Sequence, residues 1–252
     1  MASGKDYATL ATSSNKKHKK MTRTIVIASG KGGVGKTVSA INLGVALNKF
    51  GKEVVVVDAN ITTPNVSIHL GAPDIPVSLH HVLSGKAETE EAIYEHSSGM
   101  KIMPGSLSPY YMKSVKYERF NNIIKEIKKF ADFVIIDCAA GLGREAIMAI
   151  DATDEVLIIT QPEIAALTDA LKTIKLAEKM NKFVLGVILT RTTGKSHEIK
   201  KENVEEMLEV PVLAVIPEDE KVKESLRKKE AVLKLYPKSK ASMRYEGLAA
   251  SI

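Results

Sequence analysis

A single cysteine, Cys138, is present among 252 residues. One thiol cannot build an internal disulfide framework, nor a multi-cysteine metal or iron–sulfur site within one chain, and it suits a reducing cytoplasm. Long apolar runs are missing too. Runs such as FVII at 133–136 and VLII at 156–159 are strand-length and far short of a membrane span. The amino terminus, MASGKDYATLATSSNKKHKK, lacks the apolar core of a secretory signal. No repeat of fixed period is present.

What is there is ordinary globular material: 44% hydrophobic and 26% charged residues, enough for one sizeable core. The formal charge of +6 would suit nucleic acid, but it is unevenly placed. Residues 1–20 hold Lys5, Lys16, Lys17, Lys19 and Lys20 against Asp6 alone. Residues 1–21 therefore read as a disordered basic leader, either a solvated tail or a partner-binding arm, ahead of a single domain over 22–252.

From residue 24 onward, β-rich apolar runs alternate with helical periodicity. Strands are predicted at 24–29, 53–58, 101–105, 132–137, 155–160, 183–190 and 212–217. Most lack two-residue alternation, as expected of parallel strands covered on both faces. Helical spacing marks 38–50, closed by Gly51, then 117–130 and 163–180, where Ile164, Leu167, Leu171 and Ile174 share a face. The pattern predicts an α/β fold: a doubly wound, mostly parallel sheet with helices on both faces. In such sheets ligands bind at the carboxyl ends of the strands.

The first predicted strand runs into SGKGGVGKT, residues 29–37. Gly30, Gly35, Lys36 and Thr37 satisfy G-x-x-x-x-G-K-[ST] between a strand and a helix, the setting that motif requires. Glycines let successive backbone N–H groups converge on phosphate oxygens, and the helix start adds positive potential. Lys36 would reach the β- and γ-phosphates, and the Thr37 hydroxyl would hold Mg²⁺.

Lys31 extends the motif to KGGVGKT, the deviant Walker A pattern, and here the chain resembles the MinD/ParA family of P-loop ATPases, most of all its archaeal MinD branch. The resemblance runs from about residue 22 to the end. It implies an ATPase of the P-loop NTPase fold with ATP and Mg²⁺ as ligands, and a homodimer that sandwiches ATP, Lys31 crossing to the partner's phosphates. The implied nucleotide-binding set is Gly30, Lys31, Gly32, Gly33, Val34, Gly35, Lys36, Thr37 and Val38. Arg191 would stack on adenine, with Pro217, Glu218 and Asp219 beside it. DFVIIDCAAGLG (132–143) resembles the Walker B and switch II segment, so Asp137 would hold Mg²⁺, with Thr37 and Asp58, while Ala140 and Gly141 give the loop room. DANITTPN (58–65) resembles switch I, with Asn65 near the attacking water. Cys138 reads as a small space-filling residue, and His69, His80 and His81 receive no metal.

One position departs from the family. Where the resemblance implies a water-orienting aspartate, this chain has Asn60. An amide keeps the size and the hydrogen bonding but cannot take up a proton as a carboxylate does. ATP would still bind and the dimer would still form, with hydrolysis slowed by roughly 10²–10⁴-fold. Asn60 reads either as an Asp→Asn exchange that traps ATP or as a natural residue with another group orienting the water.

The resemblance implies a spatial switch in cell division or cellular positioning, cytoplasmic, with an activating partner protein and a peripheral place at the inner face of the membrane. The end of the chain, KSKASMRYEGLAASI, is a poor interfacial anchor, with Met243, Tyr245, Leu248 and Ile252 its only apolar bulk. The alternative is a ParA-type ATPase that binds DNA non-specifically as an ATP dimer; 200–209 and 221–230 are mixed in sign, unlike a phosphate track. Iron–sulfur carriers of the same superfamily use a cysteine pair, which this chain lacks.

Overall fold

A computed structural model describes residues 21–252, and the predicted basic leader lies outside the described residues apart from Met21. One eight-stranded sheet organises the chain: β1 (Arg23–Ala28), β2 (Val54–Asp58), β3 (Tyr94–Glu95), β4 (Lys101–Met103), β5 (Phe133–Asp137), β6 (Glu155–Thr160), β7 (Phe183–Thr192) and β8 (Val212–Pro217). Their spatial order is β3-β4-β2-β5-β1-β6-β7-β8. Every pairing is parallel except β3 with β4.

The helices are α1 (Lys36–Lys49), α2 (Val66–His69), α3 (Leu79–Leu83), α4 (Phe120–Ile127), α5 (Arg144–Asp151), α6 (Ile164–Lys179), α7 (Lys201–Leu208), α8 (Glu220–Arg227), α9 (Val232–Leu235) and α10 (Lys240–Ser251). Alternate strand residues feed two separate cores. Val26, Val55, Val57, Val134, Ile136 and Ile158 join Ile123, Ala149, Leu167 and Ile174 from α4, α5 and α6. Ile25, Ile27, Val54, Val56, Ile135 and Leu157 face the other way, onto Ala40, Leu43 and Leu47 of α1 and Tyr245 and Leu248 of α10. Both strand faces are dry, which is why the strand sequences read as continuous apolar runs.

All seven predicted strands are present. The two-residue β3 was not predicted, and the helical stretch 117–130 divides into a 3₁₀ turn at Tyr117–Arg119 followed by α4. α10 is no free tail: Tyr245 and Leu248 are buried, and the Tyr245 hydroxyl lies 3.0 Å from Ser39 Oγ of α1. Gly51 has φ +75°, the left-handed closure predicted after α1.

Candidate nucleotide site

β1 is central, with chain crossovers leaving in opposite directions on its two sides, so its carboxyl end opens into a crevice. A cleft of about 740 Å³ lies there, within the size of ordinary ligand pockets. Its floor is the loop between β1 and α1. Gly33 and Gly35 have φ of +75° and +98°, and a Cβ on either would meet nothing within 4 Å. The backbone there is both left-handed and uncovered, as a phosphate cradle at a helix N-terminus must be.

Loop side chains are held by local bonds. Lys36 Nζ donates to Ser29 Oγ at 2.9 Å, and Ser29 Oγ donates to the Lys31 carbonyl at 2.8 Å. Thr190 Oγ1 donates to the Val34 carbonyl at 2.7 Å, tying the loop to β7. Gly32, Gly33, Gly35, Lys36, Thr37 and Val38 line the cleft. Gly30 does not; a Cβ there would come within 2.4 Å of the Asp169 carbonyl oxygen, so its glycine is demanded by packing against α6. Val34 is buried beneath the loop. Lys31 is exposed, outside the cleft lining, 3.8 Å from Glu163 Oε2.

Parallel register sets the acidic part of the site. β2 pairs β5 with Asp58 opposite Asp137, so two carboxylates meet at adjoining strand ends, both buried. Asp58 Oδ2 accepts from Asn65 N at 2.8 Å and Val66 N at 2.9 Å. Asp137 Oδ2 accepts from Thr37 Oγ1 at 2.6 Å, while Asp137 Oδ1 has no hydrogen-bond partner among the described residues. Burial raises the pKa of both carboxyls above the ordinary carboxylate range. The charge of Asp137 adds to this at Asp58, whereas Thr37 and Lys36 pull Asp137 the other way. A buried carboxylate pair with an orphaned oxygen beside a hydroxyl is an oxygen-donor set suited to Mg²⁺, so the residues fit the ion the sequence implies.

Over the cleft stands the loop after β2. Asn60 lines it, but Asn60 Oδ1 is engaged by Thr63 N at 3.3 Å and Thr63 Oγ1 at 3.1 Å. Asn65 Nδ2 donates to the Thr63 carbonyl at 2.7 Å. On the facing side, Ala140 lines the cleft, and Gly141, at φ +82°, donates its N–H to the Ser29 carbonyl at 2.9 Å. Arg191 also lines it, with φ +53° at an irregularity in the β7–β8 register that turns the chain as bulges do.

Pro217, Glu218 and Asp219 are not brought into the cleft lining. The Glu218 N–H donates to the Thr192 carbonyl at 2.9 Å. Asp219 caps α8, accepting from Lys221 N at 2.9 Å and Ala241 N at 3.1 Å. Conversely, Thr62, Tyr117, Arg144, Glu145, His69 and Leu226 line the cleft without having been singled out for it. Their one sequence signal is place: Arg144 and Glu145 open the helix that follows the Asp137 loop. Cys138 is buried, donates to the Ile27 carbonyl at 3.3 Å, and has its thiol pushed up to about 12 by burial, as a space-filling residue would. His80 is a structural bridge between the Ile61 carbonyl (2.9 Å) and Ser106 N (3.0 Å).

The ParA family model, described as "NUBPL iron-transfer P-loop NTPase", matches residues 20–252. An uncharacterized ATP-binding protein of Methanocaldococcus jannaschii is 38% identical over 232 residues, covering 92% of this chain and 88% of that protein. The septum site-determining protein MinD of Pyrococcus horikoshii, solved complexed with Mg-ADP, superposes with a TM-score of 0.88 at 38% identity, covering 92% of this chain and 96% of that one. MinD in the MinC:MinD cell division protein complex of Aquifex aeolicus gives a TM-score of 0.82 at 30% identity, covering 91% and 95%.

Proposed function

The chain belongs to the ParA/MinD family of P-loop NTPases, and from that footing we propose that it is a Mg²⁺-dependent ATPase working as a dimerising spatial switch. The observation that carries the reading is the alignment of Asp58 and Asp137 by sheet register beneath an open glycine cradle. Thr37, Asp58 and Asp137 would hold Mg²⁺, which would supply charge neutralisation for phosphoryl transfer.

The chain's own residues do the rest. Backbone N–H groups of the 30–36 loop bind the phosphates, and Lys36 leaves Ser29 to neutralise the terminal ones. Arg191 stacks on the base. Lys31, exposed and outside its own cleft, is free to swing from Glu163 to the phosphates of a second copy, an exposed pair of that kind being worth little. The dimer is then the ATP-bound state and creates the surface that a partner protein recognises.

Hydrolysis is slow because Asn60 has no basic oxygen and its amide oxygen is already turned to Thr63. Membrane contact by the end of the chain is disfavoured, since Tyr245 and Leu248 are spent in the core. Among the described residues no helix is long and apolar enough to cross a membrane. DNA binding is the weaker alternative: Lys201, Lys221, Lys223 and Lys228 are each paired with a glutamate.

The test is the mass of the protein by light scattering with ATP or ADP. ATP should give a dimer and ADP a monomer, and K31A should abolish the difference. A monomer in both nucleotides would overturn the reading. In single-turnover assays N60D should raise the rate.

A further inference from the structure

We propose that Glu145 is the proton acceptor for the attacking water in this chain, in the place left by the amide at position 60. The proposal rests on the ATPase reading above and deepens it.

A basic group beside the terminal phosphate speeds proton transfer from the attacking water by roughly 10²–10⁴-fold. Asn60 cannot serve. The two carboxylates at the strand ends are buried: Asp58 holds the backbone of Asn65 and Val66, while Asp137 holds Thr37 through one oxygen and would give the other to Mg²⁺. Among the described residues lining the cleft, Glu145 is the only carboxylate. It is half-buried in the first turn of α5, opposite the loop that carries Asn60, and it is already drawn toward that loop. Thr62 Oγ1 donates to Glu145 Oε1, and Thr62 N lies 3.4 Å from Oε2. Two donors on two oxygens leave lone pairs on both.

The neighbours leave this carboxylate accessible. Arg144 is not an ion-pair partner of it among the described residues; its guanidinium lies 4.1 Å from the centre of the Tyr117 ring. Gly143 and Ala146, its near neighbours along the chain in the cleft lining, are small. His69 is the other basic side chain in the lining that could take a proton. It sits at the far end, where it also walls a small pocket with Ile41, Leu70 and Leu226, and burial lowers its pKa.

In the step, the water oxygen bonds to the γ-phosphorus while the bond from that phosphorus to the bridging oxygen breaks, its electron pair leaving with ADP. The water proton passes to a Glu145 oxygen and then to the released phosphate, which restores the carboxylate.

The experiment uses the full chain and two readouts: single-turnover hydrolysis of radiolabelled ATP with Mg²⁺, and affinity for a fluorescent ATP analogue. E145Q should slow turnover by roughly 100-fold or more while analogue affinity stays within about threefold. In the N60D background, where a carboxylate stands at 60 again, the same change should cost less than about tenfold, because the two groups share one role. T62V removes the hydroxyl that holds Glu145 but leaves the base, so it should cost far less than E145Q. Equal losses from E145Q in both backgrounds, or a T62V rate as low as that of E145Q, would make the contact a structural brace and overturn the assignment. Failure of every variant, N60D included, to bind the analogue would instead overturn the ATPase reading, and the assignment with it.

Discussion

Gly30 and Gly32 stand two residues apart in the same loop, and replacing each with alanine should damage different things. At Gly30 an added Cβ would lie 2.4 Å from the Asp169 carbonyl oxygen and 2.6 Å from its carbonyl carbon. That is about 1 Å inside an ordinary contact of about 3.5 Å. Both atoms belong to the backbone of α6, so no rotamer change relieves the clash. α6 is itself anchored through Leu167, Ala170 and Ile174. Either the loop lifts or a 16-residue helix shifts, and overpacking of this kind costs about 1–3 kcal/mol. For a domain of this size each kcal/mol moves the melting temperature by about 2–4 °C, so G30A should melt about 2–12 °C lower. At Gly32 the nearest atom to an added Cβ is Ala140 Cβ at 4.0 Å, an ordinary contact. G32A should keep its melting temperature within about 2 °C, surface-like changes usually falling within about 0.5 kcal/mol. Because Gly32 lines the cleft, its affinity for nucleotide should nonetheless fall. Thermal unfolding of the nucleotide-free proteins by circular dichroism decides the matter. If G30A melts together with G32A, the close approach to α6 is not what demands a glycine.

Other outcomes follow from buried polar groups. Asn42 of α1 accepts from the Leu233 N–H at 3.0 Å and donates to the Val38 carbonyl at 2.8 Å; Asn42→Leu strands the Leu233 donor and should cost about 1–3 kcal/mol in a urea titration. Burial opposes the charge on Glu230, yet His96 and Lys234 together hold its pKa well below the usual range. Its stabilisation is therefore present above the unfolded glutamate value and lost as pH falls toward the folded one, so Glu230→Gln should flatten the acid side of the stability profile. Asp58 and Asp137 have the opposite sign. Their raised folded values mean that the nucleotide-free protein loses stability as pH climbs from the ordinary carboxylate range, and Asp137→Asn should shallow that slope in melts run without divalent cations.

What could be read without coordinates follows from how local each feature is. The phosphate loop is nine consecutive residues whose meaning depends only on the strand before and the helix after, so its identity survives in one dimension. The longer strands are dense with apolar residues because the central ones, β1, β2, β5 and β6, are covered on both faces. β3 escaped because two residues carry no period, and it exists only through its pairing with β4. The opposition of Asp58 and Asp137 depends on β2–β5 register, which no local pattern encodes. Glu145 escaped for a related reason: its partner Thr62 is 83 residues distant, and an acid in the first turn of a helix is ordinary. An adenine contact by Glu218 and Asp219 rests on position in a family pattern alone, and no local signal foretells that the Glu218 N–H meets the Thr192 carbonyl or that Asp219 caps α8.

The clasp between Tyr245 and Ser39 bears on how this protein should be studied in cells. Removing the last helix is the obvious way to ask whether the end of the chain directs localisation. Here that deletion would also strip Tyr245 and Leu248 from the core and uncover the helix that begins at the phosphate loop. A mislocalised truncation would report a crippled enzyme as readily as a lost address. Substitution of exposed Met243 and Arg244, which leaves the clasp in place, separates the two.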